Sequence, residues 1–183
     1  MRLTLIAPGP TTGTRRSVFG DTGDLLEAPG LLPIRAGKPV FSGPEPACVQ
    51  TVATIRADSV VLDGLAGPDF GVWTGLSLED VLSRDAGGLQ QWIADPAANP
   101  HGGESLAQHL DRVAALLDGY EWPERGAAVV ASSFTVRAAC VHALAAGFAS
   151  LSHLDVVPGA SATLGRHAGT WRFQALVPPS SRM

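Results

Sequence analysis

Short apolar runs alternate with Gly- and Pro-dense segments along this chain, and that alternation constrains its fold most. The 21 Gly and 14 Pro gather at 8–13, 29–44, 64–75 and 95–103, where they mark loops, because neither residue continues a helix or strand well. Leu3–Ile6 is a short apolar run ending at Ala7-Pro8-Gly9 and reads as a buried parallel strand. Residues 46–57 place Val49, Val52, Ala53 and Ile55 at helical spacing, with Pro46 in the first turn, where its missing N–H costs nothing. Ser59–Leu62 reads as a second strand. Ser77 opens a short helix as N-cap, with Asp80 reaching back in the manner of a capping box. Residues 105–118 carry Leu106, Leu110, Val113 and Leu117 on one face, and Gly119 ends that helix. Ala127–Ala131 is a third buried strand, Phe134–Phe148 an Ala-rich helix packed closely on the sheet, and Arg172–Val177 a last strand stopped by Pro178-Pro179. Strands separated by helices imply an α/β fold: one three-layer domain over 1–183, with a mostly parallel sheet and helices on both faces. Ligands of such sheets bind beyond the carboxyl ends of the strands, here 7–14, 63–75 and 131–134.

Composition narrows the function classes. With 183 residues and 45% hydrophobic, the chain can bury a core, which excludes global disorder. A net charge of −4 argues against nucleic acid as a partner. Apolar stretches fall short of the ~20 residues a membrane span needs, and the first residues do not read as a signal peptide, so a cytoplasmic protein is expected. The two cysteines, Cys48 and Cys140, have no CxxC spacing and form no disulfide framework; they read as small buried apolar residues, with a thiol at Cys48 as the functional alternative. The five histidines lack HxxxH or HExxH spacing, and no GxGxxG or Walker loop occurs, so no metal or cofactor is expected. A small molecule is the expected partner, and a homodimer stays open.

Five motifs then appear in one order. Leu5-Ile6-Ala7-Pro8-Gly9-Pro10-Thr11, Ser42-Gly43-Pro44-Glu45-Pro46-Ala47-Cys48-Val49-Gln50-Thr51, Leu65–Gly75, Gly102-Gly103-Glu104-Ser105 ahead of Arg112-Val113, and Val129–Arg137 together resemble the histidine phosphatase superfamily, which has the phosphoglycerate mutase-like fold. The resemblance implies a phosphohistidine mechanism, and the positions it implies for that chemistry are changed. The nucleophilic His maps to Pro8 and the preceding Arg to Ala7. The helix Arg maps to Ala47, the second His to Ser132, the acid Glu to Gly67 and a second Glu to Thr74. The matching positions, among them Gly9, Thr11, Pro44, Gln50, Thr51, Phe70, Gly71, Trp73, Gly75 and Arg137, belong to the frame.

Pro8 offers no nucleophile, and each lost donor around a transferring phosphoryl group costs ~10²–10³ in rate. The resulting expectation is a catalytically degenerate protein, neither phosphatase nor mutase, whose less cationic cleft binds a small organic ligand. Two alternatives stand beside it: a repurposed cyclase, isomerase, lyase or non-phosphate hydrolase, and a non-catalytic partner-binding subunit. The acid–base candidates are His101, Glu104 and Asp69. His101 can titrate near neutrality, Glu104 can orient it or complement its helix terminus, and Asp69 lies on the loop of the missing acid. The ligand-binding candidates are Thr11, Arg15, Arg16, Trp73, Ser132 and Ser133. Plain alternatives stand beside four of them: a solvated loop pair for the two arginines, a packing residue for Trp73 and a helix cap for Ser132. His109 is expected exposed, His142 packed, and His153 and His167 in irregular chain.

Overall fold

The computed structural model describes residues 1–20, 23–27, 34, 37–54 and 58–179. The described strands form one six-stranded sheet, in the order β3-β2-β4-β1-β5-β6. The strands are β1 (Arg2–Ile6), β2 (Val40–Ser42), β3 (Val60–Val61), β4 (Ala127–Val130), β5 (Ser161–His167) and β6 (Thr170–Val177). The first four run parallel; β5 and β6 are antiparallel additions beside β1. The helices are α1 (Thr12–Arg15), α2 (Pro46–Ala53), α3 (Leu78–Ala94), α4 (Leu106–Gly119) and α5 (Ser133–Ala143).

Period-two alternation explains the two faces. On β1 and β4, Leu3, Leu5, Ala127 and Val129 enter the core under α4 and α5, while Ile6, Ala128 and Val130 face α2 through Cys48 and Val52. The second strand of that pair is nearly all small residues, and α5 meets it with the fully buried Ala138, Ala139 and Cys140. Small side chains on both surfaces let helix and sheet approach closely. A separate aromatic cluster of Phe70, Trp73, Val81, Leu89, Trp92 and Leu106 fastens α3 beyond the sheet.

The mostly parallel α/β architecture agrees with the sequence reading, and several elements differ, among them the helix expected over Phe134–Phe148, which ends at Ala143. The Gly/Pro-dense 29–44 segment contains β2, whose three residues are all buried. The expected strand at 59–62 pairs only through Val60 and Val61, both about half exposed at the sheet edge. The short helix expected at Ser77 is followed, across a kink at Asp85 (φ −149°), by a second helical segment to Ala94, whose start Asp85 caps by accepting from the Gly88 amide. The C-terminal irregular region holds β5, joined to β6 by Ala168 and Gly169, both at positive φ, as a tight hairpin turn requires. The expected helix 46–57 runs from Pro46 to Ala53; Ile55 lies outside the described residues. Among the described residues, no helix is long and apolar enough to cross a membrane.

Candidate functional site

The carboxyl ends of β1, β2 and β4 lie side by side. The Ala131 amide donates to the Ile6 carbonyl (3.1 Å), and the Gly43 amide to the Val130 carbonyl (2.8 Å). The Gly9 amide donates to the buried Thr51 hydroxyl of α2 (3.3 Å). This seats the Pro8 turn, the β2–α2 turn and the start of α5 side by side. Ser132 caps α5: its Oγ accepts from the Thr135 amide (3.2 Å) and lies 3.0 Å from the Thr135 hydroxyl, which donates to the Ala66 carbonyl (2.8 Å). The cap therefore also ties α5 to the 64–67 loop.

Gly67 is where three elements converge. A Cβ there would meet Ser132 Oγ at 3.1 Å and Glu45 Oε1 at 3.2 Å. Glu45 sits at the amino end of α2, where its side chain does not cap the helix amides but is hydrogen-bonded to the Cys48 thiol. Its Oε1 accepts from the Gly67 amide, and its Oε2 is buried against Gly43. Burial, followed by the neighbouring Glu45 carboxylate, pushes the Cys48 thiol far up. That thiol is held protonated.

On the other side of the 64–67 loop is a groove of about 550 Å³, lined by Ala66, Gly67, Asp69, Gly103, Glu104 and Arg112, among others. Arg112 holds its wall. The guanidinium donates twice to Glu104 (both 2.8 Å) and to the carbonyls of Gly64, Ala66 and Gly67 (3.0, 3.1 and 3.1 Å). All five of its N–H groups are used. Burial alone would raise the Glu104 carboxyl, but Arg112, with His109 beside it, outweighs that and brings it down to about 2.

The sequence candidates scatter around this centre. Ser132 reaches it, and half-buried Ser133 follows on α5. Thr11 is buried as the cap of α1, accepting from the Thr14 amide. Arg15 and Arg16 are exposed, and Arg15 pairs with Glu27 at 3.3 Å. Asp69 is exposed, with Oδ1 accepting from the Gly71 amide. Trp73 and His101 are packed together, ring centroids 4.8 Å apart. His101 is 1% exposed, and its Nδ1 accepts from the Gly103 amide (3.0 Å). Burial lowers its pKa, opposed by Asp69.

The histidine beside Glu104 is His109, expected exposed but 1% exposed. Its Nδ1 lies 2.9 Å from Arg112 Nη2. It falls on the α4 face turned to the loop, a placement the polar residues around it in sequence conceal. His142 is half-buried and pairs with Asp118 at 3.2 Å. Arg137 donates to the Leu151 carbonyl and stacks on Phe134 at 5.3 Å. Glu45 is the residue that sequence reasoning missed. An acid at the start of a helix is ordinarily a complement to the helix dipole, and the one available signal was a charge inside an otherwise uncharged motif.

Comparison with known proteins places this geometry in a family. The model described as "Histidine phosphatase superfamily (branch 1)" matches residues 31–177. The bifunctional protein of Mycobacterium tuberculosis is 35% identical over 103 residues, which are 51% of this chain and 28% of that protein. The chain thus spans little more than a quarter of that curated relative. Among solved structures, mycobacterial glucosyl-3-phosphoglycerate phosphatase in complex with VO3 matches at TM-score 0.70 and 22% identity, over 98% of this chain and 99% of that one. The alpha-ribazole phosphatase of Shigella flexneri matches at TM-score 0.73 and 17% identity, over 97% and 96%. At these identities the likeness is one of fold.

These findings overturn one expectation. The sequence reading made the chain a degenerate ligand-binding protein, neither phosphatase nor mutase. The match to the histidine phosphatase family model overturns that reading; the similar solved structures add the fold alone. That reading counted the side chains lost at Ala7, Pro8, Ala47, Gly67 and Ser132.

Proposed function

The chain belongs to the histidine phosphatase superfamily, branch 1, and from that premise we propose that it hydrolyses a phosphate monoester at the carboxyl edge of β1 and β4. One observation carries the reading: the amino end of α5, the Ser132 hydroxyl and the Gly67 turn converge beside the Pro8–Thr11 loop. Apart from the Thr135 amide, which donates to Ser132 Oγ, the first amides of α5 have no partner within the helix, and α5 is long enough, at 11 residues, for its dipole to favour an anion there. Ser132 Oγ adds a hydroxyl beside them.

No imidazole stands at residue 8 or 132, so the phosphoryl group passes directly to water. The water oxygen bonds to phosphorus as the ester P–O bond breaks. The leaving oxygen gains a proton, and the products are an alcohol and inorganic phosphate. With little covalent chemistry for the protein to do, positioning and electrostatics supply the rate.

Phosphate release from a panel of monoesters, with acid-quench and base-quench trapping of any phosphoprotein, tests this. The expected result is steady phosphate release with no trapped phosphoprotein. Release no faster than in buffer, for every ester, contradicts the proposal. A trapped phosphoprotein contradicts direct transfer to water.

A further inference from the structure

His101 sits where two segments bordering the groove are joined, and neither the phosphoryl site nor the Arg112 clamp uses its imidazole. The Val72 amide donates to the His101 carbonyl (3.0 Å), and the Glu104 amide to the Asp69 carbonyl (2.8 Å). These bonds cross between the 69–73 segment and the 101–104 turn. The two run so close that a Cβ at residue 103 would come within 2.3 Å of the Asp69 carbonyl oxygen. The imidazole sets the shape of the turn: its Nδ1 accepts from the Gly103 amide at 3.0 Å. An accepting Nδ1 puts the proton of the neutral ring on Nε2, which is buried with no hydrogen-bond partner among the described residues.

We infer that His101 is an acid-released latch on the groove wall: a proton taken up at Nδ1 expels the Gly103 amide and frees the 101–104 turn from the 69–73 segment. Two N–H groups cannot share a 3.0 Å contact, since both are donors. The ring has little room to turn instead. It is 1% exposed and packed by Phe70 and Trp73 of the facing segment and Trp92 of α3, at centroid distances of 5.9, 4.8 and 6.2 Å. The turn therefore gives way. Asp69, Gly102, Gly103 and Glu104 all line the groove, so acid reshapes it while the sheet stays intact.

The groups around the ring set the direction with pH. Asp69 acts on it from the 69–73 segment, and Trp92, its neighbour on α3, is uncharged. Glu104, on the same turn, is engaged by Arg112 and His109. Burial lowers the His101 pKa below 6.5, and Asp69 opposes it. The closed latch thus binds fewer protons than the open one. It is complete above 6.5 and weakens as pH falls below that. The Glu104 contribution is lost only below 4.5, so the window from 6.5 to 4.5 is free of it.

Amide hydrogen exchange of the whole chain across that window, corrected for the intrinsic pH dependence of exchange, tests this. The opening equilibrium at Val72, Gly103 and Glu104 should rise at least about threefold, within the one-proton limit of about tenfold per pH unit. Val129 and Val130, laddered in β4, should keep their protection. His101→Asn offers Oδ1 to the Gly103 amide and does not titrate, so its opening should not change with pH. Imidazole ¹⁵N shifts of the unaltered chain should show the proton on Nε2 at pH 7, and a His101 titration that coincides with the opening. That measurement decides even where the variant does not fold. A smaller rise, the same rise in His101→Asn, a proton on Nδ1 at pH 7, His101 titrating while the three amides stay protected, or β4 opening together with the turn overturns the inference.

Discussion

Replacing Arg112 with methionine keeps the aliphatic stem and removes the clamp. Five hydrogen bonds go at once: two to Glu104 and one each to the carbonyls of Gly64, Ala66 and Gly67. The Glu104 carboxyl falls from 4.5 to about 2 on folding; at about 1.36 kcal/mol per tenfold in proton affinity, that is an upper limit of about 3 kcal/mol. Side-chain exposure of 29% at Arg112 and 16% at Glu104 lets solvent trim this to about 2 kcal/mol. Three carbonyls stripped of a donor add about another 1 kcal/mol, since water can replace part of the loss. The expected destabilisation is about 2–4 kcal/mol at pH 7, below the range for a fully buried pair. The sign with pH follows from the depressed carboxyl. Its contribution is complete above 4.5 and disappears as pH falls toward about 2, so the parent chain should lose stability through that window and the variant should lose less. Urea unfolding followed by tryptophan fluorescence at pH 7, 4.5 and 3 measures both. A loss under about 1 kcal/mol, or an unchanged acid slope, refutes the clamp.

Gly71→Ala should prevent a stable fold or cost several kcal/mol. Gly71 has φ +47°, and a Cβ there would come within 2.1 Å of the His101 carbonyl oxygen; a melting curve checks it. Ser105→Ala removes a capping box, in which the Ser105 side chain accepts from the Gln108 amide at 3.2 Å, and should cost about 1 kcal/mol in urea unfolding. Leu117→Ala, at a site 1% exposed, should cost about 2–5 kcal/mol in the same assay. Both cysteines are buried, Cys140 with its thiol pushed up to about 12 by burial. A thiol reagent should therefore find none in the native chain at pH 8 and two in denaturant; a fast-reacting native thiol would contradict their burial.

Legibility from sequence divides along physical lines. Elements built by local pattern were readable. The stripe Leu106, Leu110, Val113 and Leu117 and the buried run Ala127–Val130 announce α4 and β4 before any contact is known, and the ordered loop motifs carried the family. Elements stabilised by long-range pairing were not. The three-residue β2 exists because β3 and β4 flank it, and β5 because β1 lies beside it; neither has a periodicity of its own. The site followed the same rule. Ser132 was legible from its place after a buried strand. Glu45 was not, because its relevance lies in Gly67, 22 residues away, and in a side chain that does not cap its own helix. His109 was misplaced because it is buried beside the Glu104–Arg112 pair, while its neighbours in sequence are polar.

The location of the phosphoryl site is the claim on which the rest depends, and amide chemical shifts of the ¹⁵N-labelled chain during titration with inorganic phosphate test it most directly. The account predicts saturating shifts at Gly9, Gly67, Ser133 and Phe134. Shifts confined to the opposite end of the sheet, around the groove of Tyr120, Trp122 and Arg166, would contradict it.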